Sequence, residues 1–182
     1  MKILAIETSA DDTAAAVVEH TTILTSVKHT QLEHADWGGI VPSIARRDHL
    51  AYIDKVVNKA MSNAKCLMSN IDAIAVTVGP GLAIALEVGI AKAKELAKKY
   101  NKPLIAVNHI EGHLLSPLAT SPSIPLLSLG EGSRRQGEVC LGLVVSGGHT
   151  ELILVEEIGK YKILTQTMDD ALGEALDKAA RL

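Results

Sequence analysis

Apolar and polar positions along the first hundred residues alternate with two different periods. Residues 3–7, Ile-Leu-Ala-Ile-Glu, predict a buried strand that meets a polar turn at Thr8–Asp12. Residues 13–18 and 22–27 predict two more strands, joined by the short polar Glu19–Thr21, so the chain opens as a meander. A loop is expected over 28–42, containing Gly38-Gly39 and ending at Pro42, where a helix can begin. In that helix Leu50, Ile53, Val57, Ala60 and Ala64 recur at steps of three and four, which predicts one apolar face. A strand follows at 73–78. Gly79-Pro80-Gly81 then turns into a second helix with Leu86, Ile90, Ala93, Ala97 and Tyr100 as its buried stripe, and Glu95 set to pair with Lys99 on its surface. Pro103 introduces a strand at 104–107, and a short helix starts near His109.

The order β-β-β-α-β-α-β-α is that of the ribonuclease H-like half-domain of the actin, sugar-kinase and Hsp70 superfamily. An ordinary dinucleotide-binding domain alternates strand and helix from the start. The pattern restarts after a Pro-, Ser- and Gly-rich stretch at 119–138, read as a linker. Its Arg134-Arg135 pair is read as solvated, with an RNA contact as the alternative. Residues 141–145 predict a strand, Ser146-Gly147-Gly148-His149 a turn, and 150–155 and 161–166 two strands. A helix is expected over 169–181, with Ala171, Leu172, Ala175, Leu176 and Ala179 apolar. Laying Ser146 on Ser9 lays Thr150 on Thr13, each between flanking strands. The fold expected is therefore α/β and actin-like. It comprises one complete half-domain (1–118), the linker (119–138) and the start of a second half-domain (139–182) that is too short to complete its layers. A truncated gene product or incomplete gene model is expected, with a short binding protein as the alternative.

Composition narrows this little. Of 182 residues, 47% are hydrophobic but only 2% aromatic, so the core must be built from Ala, Val, Ile and Leu. A net charge of −3 gives no global attraction to nucleic acid, so any RNA contact must be local or supplied by a partner. Cys66 and Cys140 form no CxxC pair and are read as reduced thiols. No signal peptide or membrane span is apparent, and a cytoplasmic location without membrane contact is expected.

Four stretches carry candidate chemistry. In Glu7-Thr8-Ser9-Ala10-Asp11-Asp12-Thr13, small hydroxyl residues in a tight turn can expose amides to phosphate. Asp11 and Asp12 can orient a water or hydroxyl or act as a base, although a plain polar turn uses the same residues. In Val144-Val145-Ser146-Gly147-Gly148-His149-Thr150, paired glycines allow close approach of backbone to phosphate, although Gly-Gly also suits any hairpin. Asn108-His109-Ile110-Glu111-Gly112-His113 starts where a strand ends. His109 and His113, at i and i+4, can share a metal, or can be two unrelated histidines. The H-x-E-x-H order is not the H-E-x-x-H of zinc peptidases, so a protease is rejected. Along 169–178, Asp170, Glu174 and Asp177 share a helix face with Lys178 four beyond Glu174. A solvated surface explains this, as does a carboxylate that fixes a ribose.

Together these stretches resemble the tRNA threonylcarbamoyl-adenosine transferase family, once labelled O-sialoglycoprotein endopeptidases. The matching segments are IETSADDT (6–13), HADWGGIVPSIARRDH (34–49), AVTVGPGLAIALEVG (75–89), VNHIEGH (107–113), VSGGHTEL (145–152) and DDALGEALDKAARL (169–182). The resemblance implies transfer of threonylcarbamoyl from threonylcarbamoyl-AMP to the adenosine beside the anticodon of tRNAs that read codons beginning with A. It implies that His109 and His113 bind Fe2+ or Zn2+, one per subunit, with a third protein ligand, an Asp, in a C-terminal region beyond this chain. Val144, Val145, Ser146, Gly147, Gly148 and Asp177 are implied to bind the adenylate, and Ser9 and Asp11 to lie beside the metal. Asp11, or a hydroxide on the metal, is the implied base. Asp12, His149 and Glu174 are secondary candidates. The implied partners are tRNA, a paralogous subunit that docks on the first half-domain (its helix 43–62 being a candidate contact) and a kinase-like ATPase. Ala10 departs from a frequent Cys and Leu176 from a frequent aromatic. Two competing readings remain. A non-catalytic paralogous scaffold disagrees with the retained His pair and SGGHT, and a sugar or acetate kinase does not explain NHIEGH. The 182-residue chain by itself is expected to be inactive.

Overall fold

The computed structural model describes residues 1–37, 39–118 and 140–180, and the chain divides into two compact units, Met1–Pro125 and Leu126–Leu182. The expected linker 119–138, with Arg134-Arg135, lies outside the described residues.

The first unit is built on one sheet. Strands β1 (Lys2–Glu7), β2 (Asp12–Glu19) and β3 (Thr22–Thr30) form the meander, and β4 (Ala73–Gly79) and β5 (Leu104–Asn108) complete the order β3-β2-β1-β4-β5. β1 pairs antiparallel with β2 and parallel with β4, which pairs parallel with β5. β4 is buried along Ala73–Thr77, as befits a strand flanked on both edges and covered by helices.

The connections between the parallel strands run through α1 (Pro42–Asn63) and α2 (Ala83–Tyr100). Pro42 opens α1, where its missing N–H costs nothing, and Asn101 closes α2 in the left-handed conformation at φ 51°. α1 packs over β2 and β3, α2 over β4 and β1, and the two helices touch. The core joins Leu4, Ile6 and Val17 of the sheet to Ile53, Val57, Ala60, Val88 and Ala93 of the helices, together with Ile74 and Val76. This is the ribonuclease H-like order expected. The short helix α3 (His109–Leu115) follows β5.

The second unit, over its described residues, is an antiparallel meander of β6 (Cys140–Val145), β7 (Thr150–Glu157) and β8 (Lys160–Gln166), followed by α4 (Leu172–Ala179).

Five expectations are corrected. β3 runs on to Thr30, and the loop after it holds a 3-10 turn over Leu32–Trp37. Leu50, placed on the apolar face of α1, is 52% exposed, while His49 is fully buried. Tyr100 is exposed at the end of α2. Glu95 pairs with Lys92, which also binds Asp54, and not with the expected Lys99. α4 starts at Leu172, which leaves Asp169 and Asp170 ahead of the helix, and Leu172 and Leu176 are exposed among the described residues. No helix of the described residues is long and apolar enough to cross a membrane.

Candidate metal centre and substrate turns

Three parallel strands end side by side and present their last residues together. β1 ends at Glu7, β4 carries Thr77 beyond the Ile6–Val76 pair, and β5 ends at Asn108, opposite Gly79. The carboxyl ends of parallel strands are where α/β sheets bind ligands, because the chain there leaves the ladder with polar groups free.

Asn108 then caps α3. Its side-chain oxygen accepts from the N–H of Ile110 (2.9 Å) and of Glu111 (3.2 Å). The cap fixes the first turn of the helix and so the direction of His109, its first residue. His113 follows one turn later on the same face. The two imidazoles stand nearly edge-on, with planes at 81°, and their Nε2 atoms are 3.1 Å apart.

That spacing can be tested against a shared cation. Metal–nitrogen bonds of about 2.0–2.1 Å place two imidazole nitrogens roughly 2.9 Å apart at a right angle and roughly 3.3 Å apart at a tetrahedral one. The observed 3.1 Å lies between. The donor set, two imidazole nitrogens, suits zinc or iron. No group of three or more His, Cys, Asp or Glu side chains with metal-binding geometry is found among the described residues.

Behind His109 lies a residue not singled out from the sequence. His109 Nδ1 is 3.4 Å from Glu7 Oε2 and 3.2 Å from Ser9 Oγ. Glu7 also accepts from the Ser9 N–H on Oε1 and from the Thr77 hydroxyl on Oε2. Burial pushes this carboxyl up, but the hydrogen bonds from His109, Ser9 and Thr77 outweigh it and hold the group down at about 2. Glu7 is therefore an anion at neutral pH. The sequence places it at the end of a strand, but not beside a histidine 102 residues away.

The turn after Glu7 is held from several sides. The Leu82 N–H donates to Ser9 O (2.7 Å), His49 Nε2–H to Ala10 O (2.9 Å) and the Gln31 N–H to Asp11 O (3.1 Å). The Thr8 hydroxyl donates to Ala85 O (3.0 Å). At Gly81, φ is +159° and an added Cβ would stand 2.6 Å from Ser9 O, so only glycine lets this turn close on Ser9. Asp11 is half-buried at the tip of the turn. Asp12 is occupied on β3, accepting from the Thr30 hydroxyl (2.6 Å) and pairing with Lys28 (3.0 Å).

In the second unit, the turn Ser146–His149 closes with the Ser146 N–H donating to His149 O (2.8 Å) and the His149 N–H donating to Ser146 Oγ (3.0 Å). α4 is bolted to it. The Leu172 N–H donates to Thr150 Oγ1 (2.8 Å) and the Gly173 N–H to Ser146 O (3.2 Å). A Cβ on Gly173 would fall 2.7 Å from Ser146 O, which makes Gly173 a second residue whose need the sequence did not reveal. A Cβ on Gly147 or Gly148 would meet nothing within 4 Å, and neither has a positive φ. Nothing in the described protein requires glycine at these two positions, whereas an approaching ligand would. Val144 is buried under this turn and Val145 is half exposed. On α4, Lys178 binds Asp170 (2.6 Å) and Glu174 (3.1 Å), which places Glu174 in a surface ion pair, while Asp177 is exposed.

The candidates thus fall into two groups. Ser9, Asp11, His109 and His113 belong to the first unit, with Asp12 turned to β3. Val144 to His149, Glu174 and Asp177 belong to the second.

A family model described as tRNA N6-adenosine threonylcarbamoyltransferase (TsaD) matches residues 22–182. Curated proteins of the same description include one from Anaeromyxobacter sp. (strain Fw109-5), 48% identical over 186 residues and matched over 100% of this chain and 52% of its own length. One from Trichlorobacter lovleyi is 49% identical over 185 residues and matched over 100% of this chain and 50% of its own. The chain spans about half the length of the curated relatives it matches. Among solved structures, one described as YeaZ from Pseudomonas aeruginosa aligns with a TM-score of 0.53 at 17% identity, over 92% of this chain and 68% of that one, a likeness of fold.

Proposed function

Because the chain belongs to the tRNA N6-adenosine threonylcarbamoyltransferase family, we propose that it is the portion of such a transferase that holds the metal and provides part of the adenylate site. The single observation that carries this reading is the His109–His113 pair, with Nε2 atoms 3.1 Å apart and a carboxylate behind His109. These two side chains would hold Fe2+ or Zn2+, the remaining ligands coming from substrate, solvent and chain outside the described residues. When bound, the cation supplies a Lewis acid for the carbonyl of the threonylcarbamoyl group.

The rest of the chemistry is assigned to the chain's own residues. The adenosine N6 amine attacks the carbonyl of threonylcarbamoyl-AMP, a C–N bond forms, and the C–O bond to phosphate breaks to release AMP. Asp11 Oδ takes the proton that the amine loses, from a turn whose three carbonyls are already engaged. Val144 to Gly148 take the adenylate, an assignment supported by two glycines with open space where a Cβ would be. Asp177, exposed on α4, holds a nucleoside hydroxyl. tRNA, a paralogous subunit and a kinase-like ATPase are the partners in this reading, and the cytoplasm is its setting.

A chimera tests the proposal. This chain is continued by the C-terminal half of the Trichlorobacter lovleyi relative, purified, and supplied with threonylcarbamoyl-AMP, tRNA, the paralogous subunit and the kinase-like ATPase. Labelled threonine should enter the tRNA, and His109→Ala should abolish the incorporation. A folded chimera that transfers nothing, or a His109→Ala chimera that transfers normally, refutes the reading. The former result is the one a non-catalytic scaffold would give.

A further inference from the structure

The geometry points to Glu7 as a positioning residue that selects the tautomer of His109 and thereby directs its Nε2 lone pair at the shared cation. This inference rests on the metal-site reading above.

A neutral imidazole carries one proton on one of two nitrogens, and a neighbouring group decides which. His109 Nδ1 has two neighbours. Ser9 Oγ, at 3.2 Å, is indifferent, since a hydroxyl can accept from Nδ1–H or donate to a bare Nδ1. Glu7 Oε2, at 3.4 Å, is not indifferent. Both of its oxygens are already acceptors, Oε1 from the Ser9 amide and Oε2 from the Thr77 hydroxyl, so the group presents negative charge and no proton. Against a bare Nδ1 that charge meets a lone pair and repels it. Against Nδ1–H it accepts a charge-assisted hydrogen bond. Glu7 therefore drives the proton to Nδ1 and leaves Nε2 bare, 3.1 Å from Nε2 of His113.

The position of Glu7 comes from the sheet. It is the last residue of β1, and Thr77, buried on the neighbouring parallel strand β4, fixes its carboxylate from the side. The carboxylate behind a metal-bound histidine is a recurring outer-shell arrangement, and its loss weakens metal binding about 10–100-fold.

The test uses the purified 182-residue chain with Zn2+ as probe and two readouts. Competition titration against a chromophoric chelator should give Glu7→Gln an affinity roughly 10–100-fold below that of the wild type. Long-range 1H–15N correlation spectra of the metal-free chain should show His109 as the Nδ1–H tautomer in the wild type, and as a mixture or the Nε2–H form in Glu7→Gln. Thr77→Val, which removes the side support of the carboxylate, should shift both readouts the same way by less, and it serves if Glu7→Gln does not fold. Wild-type tautomer and wild-type affinity in both variants overturn the inference. A wild-type chain that does not bind Zn2+ shows that two imidazoles need a third ligand to hold the cation, and the tautomer spectra then decide the inference alone: a wild-type tautomer in both variants overturns it.

Discussion

Removing one hydroxyl at Thr13 offers a sharp measure of how the Ser9–Asp11 turn is held. His49 is fully buried and ties α1 to the turn at Ala10 and to β2 at Thr13. Its Nε2 lies 2.9 Å from Ala10 O, and since a carbonyl only accepts, that nitrogen carries the proton. Nδ1 must then accept from the Thr13 hydroxyl, 2.7 Å away. Thr13→Val keeps the shape of the side chain and deletes the donor, leaving a buried imidazole nitrogen with no partner. The desolvation cost of such an orphan is about 1–3 kcal/mol, and the extra buried methyl returns less than about 1 kcal/mol of it. For a net loss of about 1–2 kcal/mol and a urea dependence of about 2 kcal/mol per molar, the midpoint should fall by roughly 0.5–1 M. Circular dichroism at the helix band reports this unit well, because α1 and α2 contribute 22 and 18 residues against eight in α4. A midpoint lowered by less than about 0.2 M would show that the His49–Thr13 bond is not formed, and would remove the argument that α1 sets the turn.

Acidification acts on the same histidine. Burial lowers His49 below 6.5, against the upward pull of the Ala10 carbonyl and of Asp48, Asp11 and Glu7. Below pH 6.5 the unfolded chain binds a proton that the folded chain refuses, so stability should decline as the pH falls through that range, and His49→Gln should remove this part of the slope in urea titrations at stepped pH. Glu7 acts in a lower window: held at about 2 in the fold against 4.5 in the open chain, it contributes stability above pH 4.5 that is lost on the way down to 2, a loss that Glu7→Gln should abolish in the same titrations. Asn108→Ala should fray the start of α3 at a cost of about 0.5–2 kcal/mol and weaken Zn2+ binding several-fold, and unchanged affinity in the chelator titration would detach the cap from the metal site. Gly173→Ala places a Cβ 2.7 Å from Ser146 O, so the amide resonances of Ser146 to His149 should move, and an unchanged spectrum would contradict the packing of α4 on that turn.

How much of this was legible in the sequence depended on whether the cause was local. The spacing of His109 and His113 is local, and so is their convergence, because a helix turn brings i and i+4 together wherever it sits. The three opening strands were legible from apolar alternation, but the end of β3 was not. Beyond Val27 the strand consists of Lys28, His29 and Thr30, held by Asp12 and Asp48 rather than by apolar burial. On α1 the periodicity pointed to Leu50, yet the buried position is one residue earlier. His49 takes it, in line with Ala45 and Ile53, because two hydrogen bonds satisfy the imidazole inside. Glu7 was legible as a strand end, but its place behind His109 was not. Its Ser9 partner is local, but Thr77 comes from β4 and His109 from the residue after β5, and only the parallel crossovers bring these two to β1. Gly173 was hidden for the same reason, since its constraint is a carbonyl 27 positions earlier in the chain, at Ser146.

The turn at Ser9–Asp11 shows why a short motif can be present without its geometry being assured. Three successive carbonyls accept from three donors that belong to different parts of the unit: Leu82 after the Gly79-Pro80-Gly81 turn, His49 inside α1, and Gln31 just past β3. None of these donors lies in the motif. The turn's carbonyls are engaged on the protein side, and it holds Ser9 against His109. A chain that kept the residues 7–13 but lost His49, Gly81 or the extension of β3 to Thr30 would keep the letters and lose this arrangement. The candidate site is therefore a property of the whole first sheet and its helices. A search for its function in other sequences should ask for the buried histidine of α1 and the glycine at 81 together with the acidic turn, because each supplies or permits one of the bonds that set the position of Asp11.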